Sequence, residues 1–331
     1  MDRATVLRRA GVAALLPLAS APAALAEALD SGFAGHPRWR FVLVSHRTTD
    51  PLLVATQFGA QDAASLLGVD VEWTGAPSGS VKDTIASLQS TIASKPDGIA
   101  VSRPDPPAFD ATVGGAVKAG IPLVSFDVGG AGRRLSYVGQ DHYSAGRAAA
   151  AAIAAAAGTG DVLLLAPQMD DAGTRRRIDG ARRELQRTRL TASLTQSDAR
   201  PSSLAAAARR ATRLRAILAF DATTTALAGA YVQEKGLAGR VYAGGFDLLP
   251  NHHDLVAGGY LDFVVDMQPY LLGFLPVLLL FLQKISQGIV VPANVEIPPR
   301  ILRASSIDAF LKTASRFEGS SSRHRYPLER A

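Results

Sequence analysis

The sequence predicts an α/β fold made of two doubly wound lobes, each with a parallel sheet covered by helices on both faces. From residue 41 onward, short runs rich in Val, Ile, Leu and Phe alternate with longer alanine-rich stretches. The short runs are apolar throughout, which is typical of strands buried on both faces of a parallel sheet. They number nine, which is many for one open sheet, so two lobes of four to six strands each fit better.

The predicted elements follow from this alternation in chain order. Strands are expected at 41–45, 69–74, 98–102, 121–127, 161–166, 191–196, 216–221, 241–247 and 260–267. Helices are expected near 52–67, 80–94, 107–119, 143–157, 173–188, 202–213, 223–235 and 270–286.

One of these helices contains an apolar run that could suggest a membrane. Residues 270–282 read YLLGFLPVLLLFL, without a charge. A spanning helix needs about 20 such residues, and Pro276 would kink this one. We therefore predict a buried core helix.

The two ends of the chain differ from its body. Residues 1–26 combine Arg3, Arg8 and Arg9 with an apolar stretch and a terminal Ala-Leu-Ala, the pattern of a signal peptide for export to the periplasm. An amphipathic helix of the mature protein is the alternative. The Arg8-Arg9 pair leaves twin-arginine export open. Residues 315–331 are polar and without periodicity, so we expect a disordered tail.

Composition excludes several classes of protein. The chain has 331 residues, 47% of them hydrophobic, and a net charge of +6, so it is not disordered as a whole. It has no cysteine, which excludes disulfides, thiolate metal sites and a cysteine nucleophile. The arginine cluster at 175–189 lacks interleaved aromatics and predicts a solvated helix face rather than a nucleic-acid site.

Signals for catalysis, metal or cofactor are also missing from the sequence. It contains no P-loop, no complete dinucleotide-binding motif, no HExxH and no GxSxG. The histidine pair His252-His253 is expected to be a surface loop pair, because adjacent side chains diverge. We therefore predict no catalytic residue, no cofactor, no metal site and no nucleic-acid partner.

Polar residues recur where the predicted strands end: Ser45, Asp127, Asp221, Asp247 and Asp266. In open parallel sheets, ligands bind outside the carboxyl ends of the strands. Carboxylates there would accept hydrogen bonds from neighbouring hydroxyls, which suits a small polyhydroxylated ligand. The alternative is that Asp221 and Asp247 cap the helices that follow them.

Eight segments along residues 38–303 occur in an order that is characteristic of one protein family. They are FVLVSHRTTDPLLVATQFGAQDAASLLG, KPDGIAVSRPDPPAF, AGIPLVSFD, YVGQDHYSAGRAAA, GTRRRIDGARREL, ILAFDATTTALAGA, VYAGGFDLLP and VDMQPYLLG. Through them the chain resembles periplasmic sugar-binding proteins of the ribose/galactose type, which are type I periplasmic binding proteins and solute receptors of ABC importers. Repressors of the LacI type share the core but carry an N-terminal DNA-binding headpiece, where this chain has the predicted signal peptide.

The resemblance implies two Rossmann-like lobes joined by three crossover segments, with the ligand cleft between them. The N-terminal lobe would comprise 38–140 plus 269–293, and the C-terminal lobe 141–267 plus 294–303. The implied function is that of a monomeric extracytoplasmic receptor. It would trap a sugar, polyol or modified sugar by hinged closure and deliver it to the membrane subunits of an ABC permease. A ligand-sensing partner of a chemoreceptor or sensor kinase is the alternative, and a secreted α/β enzyme and a cytoplasmic repressor are further rivals.

The resemblance also implies the ligand contacts. These are Ser45, Asp50, Leu53, Arg103, Asp127, Gln140 or Asp141, Arg177, Asp221, Asp247 and Gln268. Arg177 should face the cleft while the other arginines of its helix face water. Sugar binders of this type usually stack aromatics on the ring where this chain has Leu52 and Leu53. Phe126, Tyr143 or Tyr270 are expected to replace that stacking in part.

Overall fold

Two six-stranded sheets form the framework of the protein. The computed structural model describes residues 35–129, 132, 134–167, 171–290 and 293–307, so the predicted signal peptide and tail lie outside the described residues. The described residues from Arg38 onward form one compact unit. The predicted α/β fold with two parallel-sheet lobes is confirmed.

The first sheet has the strand order β11-β5-β4-β3-β1-β2, and neighbouring strands run parallel throughout. Its strands are β1 (Arg40–Ser45), β2 (Asp70–Gly75), β3 (Gly98–Val101), β4 (Leu123–Phe126), β5 (Ser136–Gly139) and β11 (Val295–Glu296).

The second sheet repeats this pattern in the order β12-β10-β9-β8-β6-β7, with only β12 antiparallel to its neighbour. Its strands are β6 (Thr159–Pro167), β7 (Arg189–Ser197), β8 (Leu214–Ala219), β9 (Tyr242–Phe246), β10 (Phe263–Asp266) and β12 (Arg300–Leu302).

Nine described helices cover both faces of the two sheets. They are α1 (Val54–Leu67), α2 (Val81–Ala93), α3 (Pro106–Lys118), α4 (His142–Ala157), α5 (Ala172–Leu185), α6 (Pro201–Arg210), α7 (Ala222–Glu234), α8 (Pro250–Ala257) and α9 (Pro269–Ile285). In β1, Phe41 and Leu43 pack towards α1 and α9, while Val42 and Val44 pack towards α2 and α3. A strand buried in this way must be apolar at every position, which explains the uniform runs in the sequence.

The second lobe is layered in the same way. Val162 and Leu164 of β6 pack towards α4 and α5. Leu163 and Leu165 pack towards α6, α7 and α8 on the opposite face of the sheet.

The apolar run at 270–282 lies in α9, as predicted, with Leu272, Leu280 and Phe281 fully buried against the first sheet. Within the described part of the chain, no helix combines the length and the apolar character that crossing a bilayer requires.

Three short strands and one helix were not predicted: β5, β11, β12 and α8. One predicted boundary is wrong. Residues from 294 onward were assigned to the second lobe, but Val295 and Glu296 pair with β5 of the first sheet. The last crossover therefore lies between Glu296 and Arg300, because the chain adds one more strand before it leaves the first sheet.

Candidate ligand-binding site

The carboxyl ends of strands from both sheets meet at one small polar cavity between the lobes. It is lined by His46, Arg47, Asp50, Leu52, Leu53, Asp127, Val128, His142, Asp171, Gly173, Thr174, Arg177, Asp221, Asp247 and Met267. Five aspartates and two arginines thus converge on one space, which is the place where open parallel sheets bind ligands.

Asp127 and Asp247 occupy equivalent positions in the two lobes. Asp127 follows β4 and Asp247 follows β9, and both have left-handed backbones, with φ of 61° and 68°. Each backbone N–H donates to a carbonyl of the neighbouring strand. Asp127 donates to the Val138 carbonyl of β5 and Asp247 to the Val265 carbonyl of β10, both at 3.0 Å. A non-glycine residue with positive φ costs free energy and is concentrated at functional sites. Here the conformation ends each strand and leaves its carboxylate at the cavity.

Asp127 lies in an environment that weakens its acidity. Its side chain is nearly buried beside Ser102, whose hydroxyl donates to its Oδ2 at 3.4 Å, and His46, whose Nδ1 is 3.9 Å from the same oxygen. Burial raises the pKa of Asp127 to about 7, against the opposing effect of Arg177 and Arg47. Near neutral pH this carboxyl can therefore both donate and accept hydrogen bonds.

Arg177 and Asp247 form a buried ion pair. Arg177 donates to the two carboxylate oxygens at 3.0 and 3.1 Å, and also to the carbonyl of Phe220 at 3.1 Å. Its guanidinium lies 4.5 Å from the centre of the Phe246 ring. Burial opposes the charge of Arg177, but the Asp247 carboxylate outweighs it and raises the pKa of the guanidinium.

The packing of α5 explains why this arginine turns inward. Arg177 lies on the buried face of the helix with Thr174, Ile178 and Ala181, whereas Arg176 is exposed. Arg177 thus lines the cavity, and its contact with a ligand stays a prediction.

Three other cavity aspartates begin helices. Asp50 caps the short 3-10 helix Pro51–Leu53, which precedes α1, because it accepts from the Leu52 N–H at 3.0 Å; it also pairs with Arg47 at 3.2 Å. Asp171 accepts from the backbone and hydroxyl of Thr174, and Asp221 caps α7. The capping interpretation therefore holds for Asp221, which also lines the cavity. It is wrong for Asp247, because α8 begins at Pro250.

Hydrogen bonding keeps Asp171 ionised. Burial alone would raise the pKa of Asp171, but the hydrogen bonds from Thr174 outweigh burial and lower that pKa. The two histidines at the cavity are neutral, since burial lowers the pKa of both His46 and His142 to about 4.

Two predicted ligand contacts, Ser45 and Arg103, lie behind the cavity rather than on it. The Ser45 hydroxyl is buried and accepts from the Arg47 N–H at 3.1 Å, so it shapes the loop that carries Arg47. Arg103 is fully buried and donates to the Gly129 carbonyl at 2.5 Å. Its burial lowers its pKa to about 10. Both side chains support loops at the cavity instead of lining it.

Three more predicted contacts belong to the crossover segments and do not line the cavity. Gln140 donates to the Asp266 carbonyl at 3.1 Å, and Gln268 donates to the Pro298 carbonyl at 3.2 Å. Asp141 caps α4. Asp266 accepts from Arg300 at 2.6 Å, so this strand-end aspartate also serves the crossovers. The bonds of Gln140, Gln268 and Asp266 tie the three crossovers to one another, because each joins segments distant in sequence.

Aromatic stacking is not replaced in the way we expected. Phe126 is buried in the first lobe's core, the Tyr270 hydroxyl donates to Asp62, and Tyr143 lies under Arg176. None of the three lines the cavity. Its apolar surface comes instead from Leu52, Leu53, Val128 and Met267.

Sequence reasoning missed several lining residues in the second lobe and the loops. These include His46, His142, Asp171, Gly173 and Thr174. For Asp171 a signal existed, since Asp-x-x-Thr before a helical stretch is typical of an N-cap. For the histidines no local pattern marked the cavity.

Metal binding finds no support in the described residues, where no group of three or more potential ligands forms a metal site. The interpretation of His252 and His253 as a surface pair is wrong, because both are buried in α8. His252 accepts from the Leu249 N–H at 3.1 Å and lies 3.0 Å from the Ala222 carbonyl, so it links α8 to α7.

Two α/β lobes around a small polar cavity define a two-lobed ligand-binding protein. Residues 41–285 match the family model of the periplasmic binding protein domain. The chain is also 32% identical over 312 residues to the xylose/arabinose-binding protein XylF of Sulfolobus acidocaldarius, covering 88% of this chain and 77% of that one. The chain therefore belongs to the periplasmic binding protein family, whose members bind solutes and are not enzymes.

Solved structures share the fold. An ABC transporter solute binding protein from Agrobacterium vitis, bound to α-D-tagatopyranose, aligns with a TM-score of 0.75 at 23% identity, covering 86% of this chain and all of that one. A carbohydrate transporter solute binding protein from Agrobacterium radiobacter, in complex with D-arabinose, aligns with a TM-score of 0.73 at 21% identity, over 83% and 99% of the two chains. At this identity the likeness shows the fold alone.

Proposed function

We propose that this protein is the extracytoplasmic receptor of an ABC importer and that it captures one neutral monosaccharide or a polyol of similar size. The observation that carries the proposal is the small polar cavity between two lobes, lined by carboxylates from both. The family and the sugar-binding names of its relatives support the same class of ligand.

The charges of the cavity favour a ligand rich in hydroxyl donors. Arg47 pairs with Asp50, and Arg177 pairs with Asp247. The cavity also has the carboxyl groups of Asp127, Asp171 and Asp221, which belong to neither of these two ion pairs. Sugar hydroxyls can donate to them, whereas a sugar acid would bring another negative charge into a buried acidic site. Neutral sugars and polyols therefore fit better than acidic ones.

The size of the cavity favours a single sugar unit. The centre of a water molecule can reach about 50 Å³ of it. One water needs roughly 10–15 Å³ of such space, so the cavity holds about four waters. This space is too small for two sugar rings, so the cavity favours a single unit.

Contacts across the cleft support capture by closure. The Ala172 N–H at the start of α5 donates to the Pro104 carbonyl of the first lobe at 3.2 Å. His142 Nε2 lies 3.2 Å from the Asp127 carbonyl and must be the donor there, because a carbonyl only accepts. A ligand held between the carboxylates would add to these bonds and favour the closed state. Release to a membrane permease would then require the bonds to break.

A thermal-shift screen of the exported protein tests the proposal. The panel contains neutral pentoses, hexoses and polyols, their uronic and aldonic acids, and nucleosides. A ligand at 100 times its dissociation constant stabilises the fold by about 2.7 kcal/mol, so a neutral sugar or polyol should raise the melting temperature by several degrees. Stabilisation by sugar acids alone, or by no sugar or polyol in protein free of bound ligand, would contradict it.

A further inference from the structure

Helix α5, the turn after it and the first residue of β7 present a strongly basic surface to solvent. Six arginines there are exposed, and we call them the arginine face: Arg175, Arg176, Arg182, Arg183, Arg187 and Arg189. The pairs at 175–176 and 182–183 are seven residues apart, which is two helical turns, so they point the same way. The cavity uses only Arg177 of this cluster, so the ligand site does not explain the rest.

Most of this charge is not neutralised by the protein. Among the described residues, the side chains of Arg182, Arg183, Arg187 and Arg189 have no ion-pair or hydrogen-bond partner. Of the two acidic residues on α5, Asp179 is exposed between the two arginine pairs, and Glu184 is bound to Arg147 of the neighbouring helix at 2.9 Å. The rest of the exposed surface of α4 is mainly alanine. The two helices therefore form a surface with a clear excess of positive charge.

The surface also lacks the apolar centre that an interface with a protein partner would need. Protein interfaces depend on a few large apolar or aromatic anchors packed at their middle. The exposed large apolar side chains of the described residues are Leu66, Val117, Leu194, Ile289 and Val290, and none lies on α4 or α5. A second copy of the same face would be repelled by like charge. A layer of phosphate groups needs cations only, and guanidinium groups bind phosphate with two parallel hydrogen bonds.

We propose that the arginine face binds anionic phospholipid head groups and holds the receptor against a membrane surface. Arg182, Arg183 and Arg187 lie towards the end of α5 remote from the cavity residues Gly173 and Thr174. Membrane contact through these three residues therefore leaves the cavity and its closure intact. Each basic residue near an anionic membrane strengthens binding about fivefold, and salt weakens it because exposed charges are screened.

Co-sedimentation of the exported protein with lipid vesicles tests this inference. We expect binding to vesicles of phosphatidylcholine with about one third phosphatidylglycerol, none to pure phosphatidylcholine, and a loss of binding as salt rises. The variant R182Q/R183Q should bind the anionic vesicles about 25-fold more weakly, since two arginines are removed.

A matched control separates this surface from overall charge. Arg209 and Arg210 are exposed on α6, which packs on the opposite face of the second sheet. R209Q/R210Q removes the same charge and should keep vesicle binding, and both variants should keep ligand affinity. Equal losses in the two variants, no binding of the wild type to anionic vesicles, or retention only on membranes that contain protein would each overturn the proposal.

Discussion

The Arg177 guanidinium donates two parallel hydrogen bonds to the Asp247 carboxylate, from the buried face of α5 to the residue that ends β9. The pair joins two elements that are 70 residues apart in sequence. Both side chains line the cavity, so the pair couples the architecture of the second lobe to the ligand site.

Removal of Asp247 should therefore destabilise the fold as well as weaken ligand binding. Asp247→Ala leaves the buried Arg177 without its counter-charge, and breaking a buried pair in this way costs about 3–5 kcal/mol. Denaturant unfolding of the unliganded protein measures this cost. Replacement of both partners, R177M/D247L, should recover much of the stability, because no uncompensated charge remains. Additive losses in the double variant would contradict the coupling.

Protonation of Asp127 predicts a pH-dependent stability. In the folded protein its pKa is about 7, against a usual value of 3.8. Between pH 3.8 and 7 the folded state keeps a proton that the unfolded chain has lost, so this group lowers stability as pH rises through that window. Asp127→Asn removes the titration. The variant should thus gain stability relative to wild type as pH rises, by up to about 4 kcal/mol, and level off above pH 7.

Unfolding by denaturant at a series of pH values checks this expectation, with the exposed Asp254→Asn as the control. A difference between Asp127→Asn and wild type that stays constant with pH would show that Asp127 has an ordinary pKa. Ligand affinity should fall in Asp127→Asn at neutral pH and above, where the charged acceptor is lost.

Closure of the cleft should depend on Gly173. A Cβ atom there would lie 2.7 Å from Val128 Cγ1 of the other lobe and 3.1 Å from Asp171 Oδ1 and His142 Nε2. Valine is stiff at χ1, so it gives way poorly. Gly173→Ala should hold the lobes apart and weaken ligand binding at least about tenfold, or 1.4 kcal/mol. Small-angle scattering should then show no compaction on addition of ligand.

Gly114→Ala on α3 is the matched control, because a Cβ atom there meets nothing within 4 Å. Replacing glycine by alanine favours a helix by about 1 kcal/mol in both variants. A general gain in stability is therefore common to the two and does not explain a difference in ligand binding. V128A/G173A should restore closure by removing the clashing methyl group. Normal compaction in Gly173→Ala alone would show that the lobes adapt to the added atom.

One substitution at Asp221 can separate its role as a helix cap from its predicted contact with the ligand. Asparagine caps helices as well as aspartate, so Asp221→Asn should change stability by less than about 0.5 kcal/mol. A hydrogen bond to a charged group is worth about 1.5–3 kcal/mol against about 1 for a neutral pair, so ligand affinity should fall roughly tenfold. Calorimetric titration measures this, with the exposed Asp198→Asn as the control. Unchanged affinity would remove Asp221 from the ligand site.

Much of the fold could be predicted because its longer elements carry a local signal. Strands such as β1 and β6 contain an unbroken apolar run, FVLV and VLLLA respectively, and the alanine-rich α4 differs clearly from them. The strands β11 and β12 have only two and three residues, so no periodicity marks them. They exist because neighbouring strands offer backbone hydrogen bonds, which is a tertiary effect.

The site was only partly predictable for a similar reason. Aspartates at strand ends can be found from sequence, because parallel strands bring their carboxyl ends to one edge. Arg103 and Gln140 looked like ligand contacts by position, yet their side chains bond to the Gly129 and Asp266 carbonyls. The partner that a polar side chain finds depends on the loops packed around it, and a local pattern does not contain that information.

By itself, the sequence determined the two-lobed α/β architecture, the absence of cysteine chemistry and the carboxylates Asp127, Asp221 and Asp247 at strand ends. Local hydrophobic period and residue type suffice for these features. The tertiary structure alone decided that Arg177 pairs with Asp247, that Asp171 joins the cavity and that Gly173 meets Val128 across the cleft. Each of these depends on the distance between residues that only the closed packing of two lobes brings together.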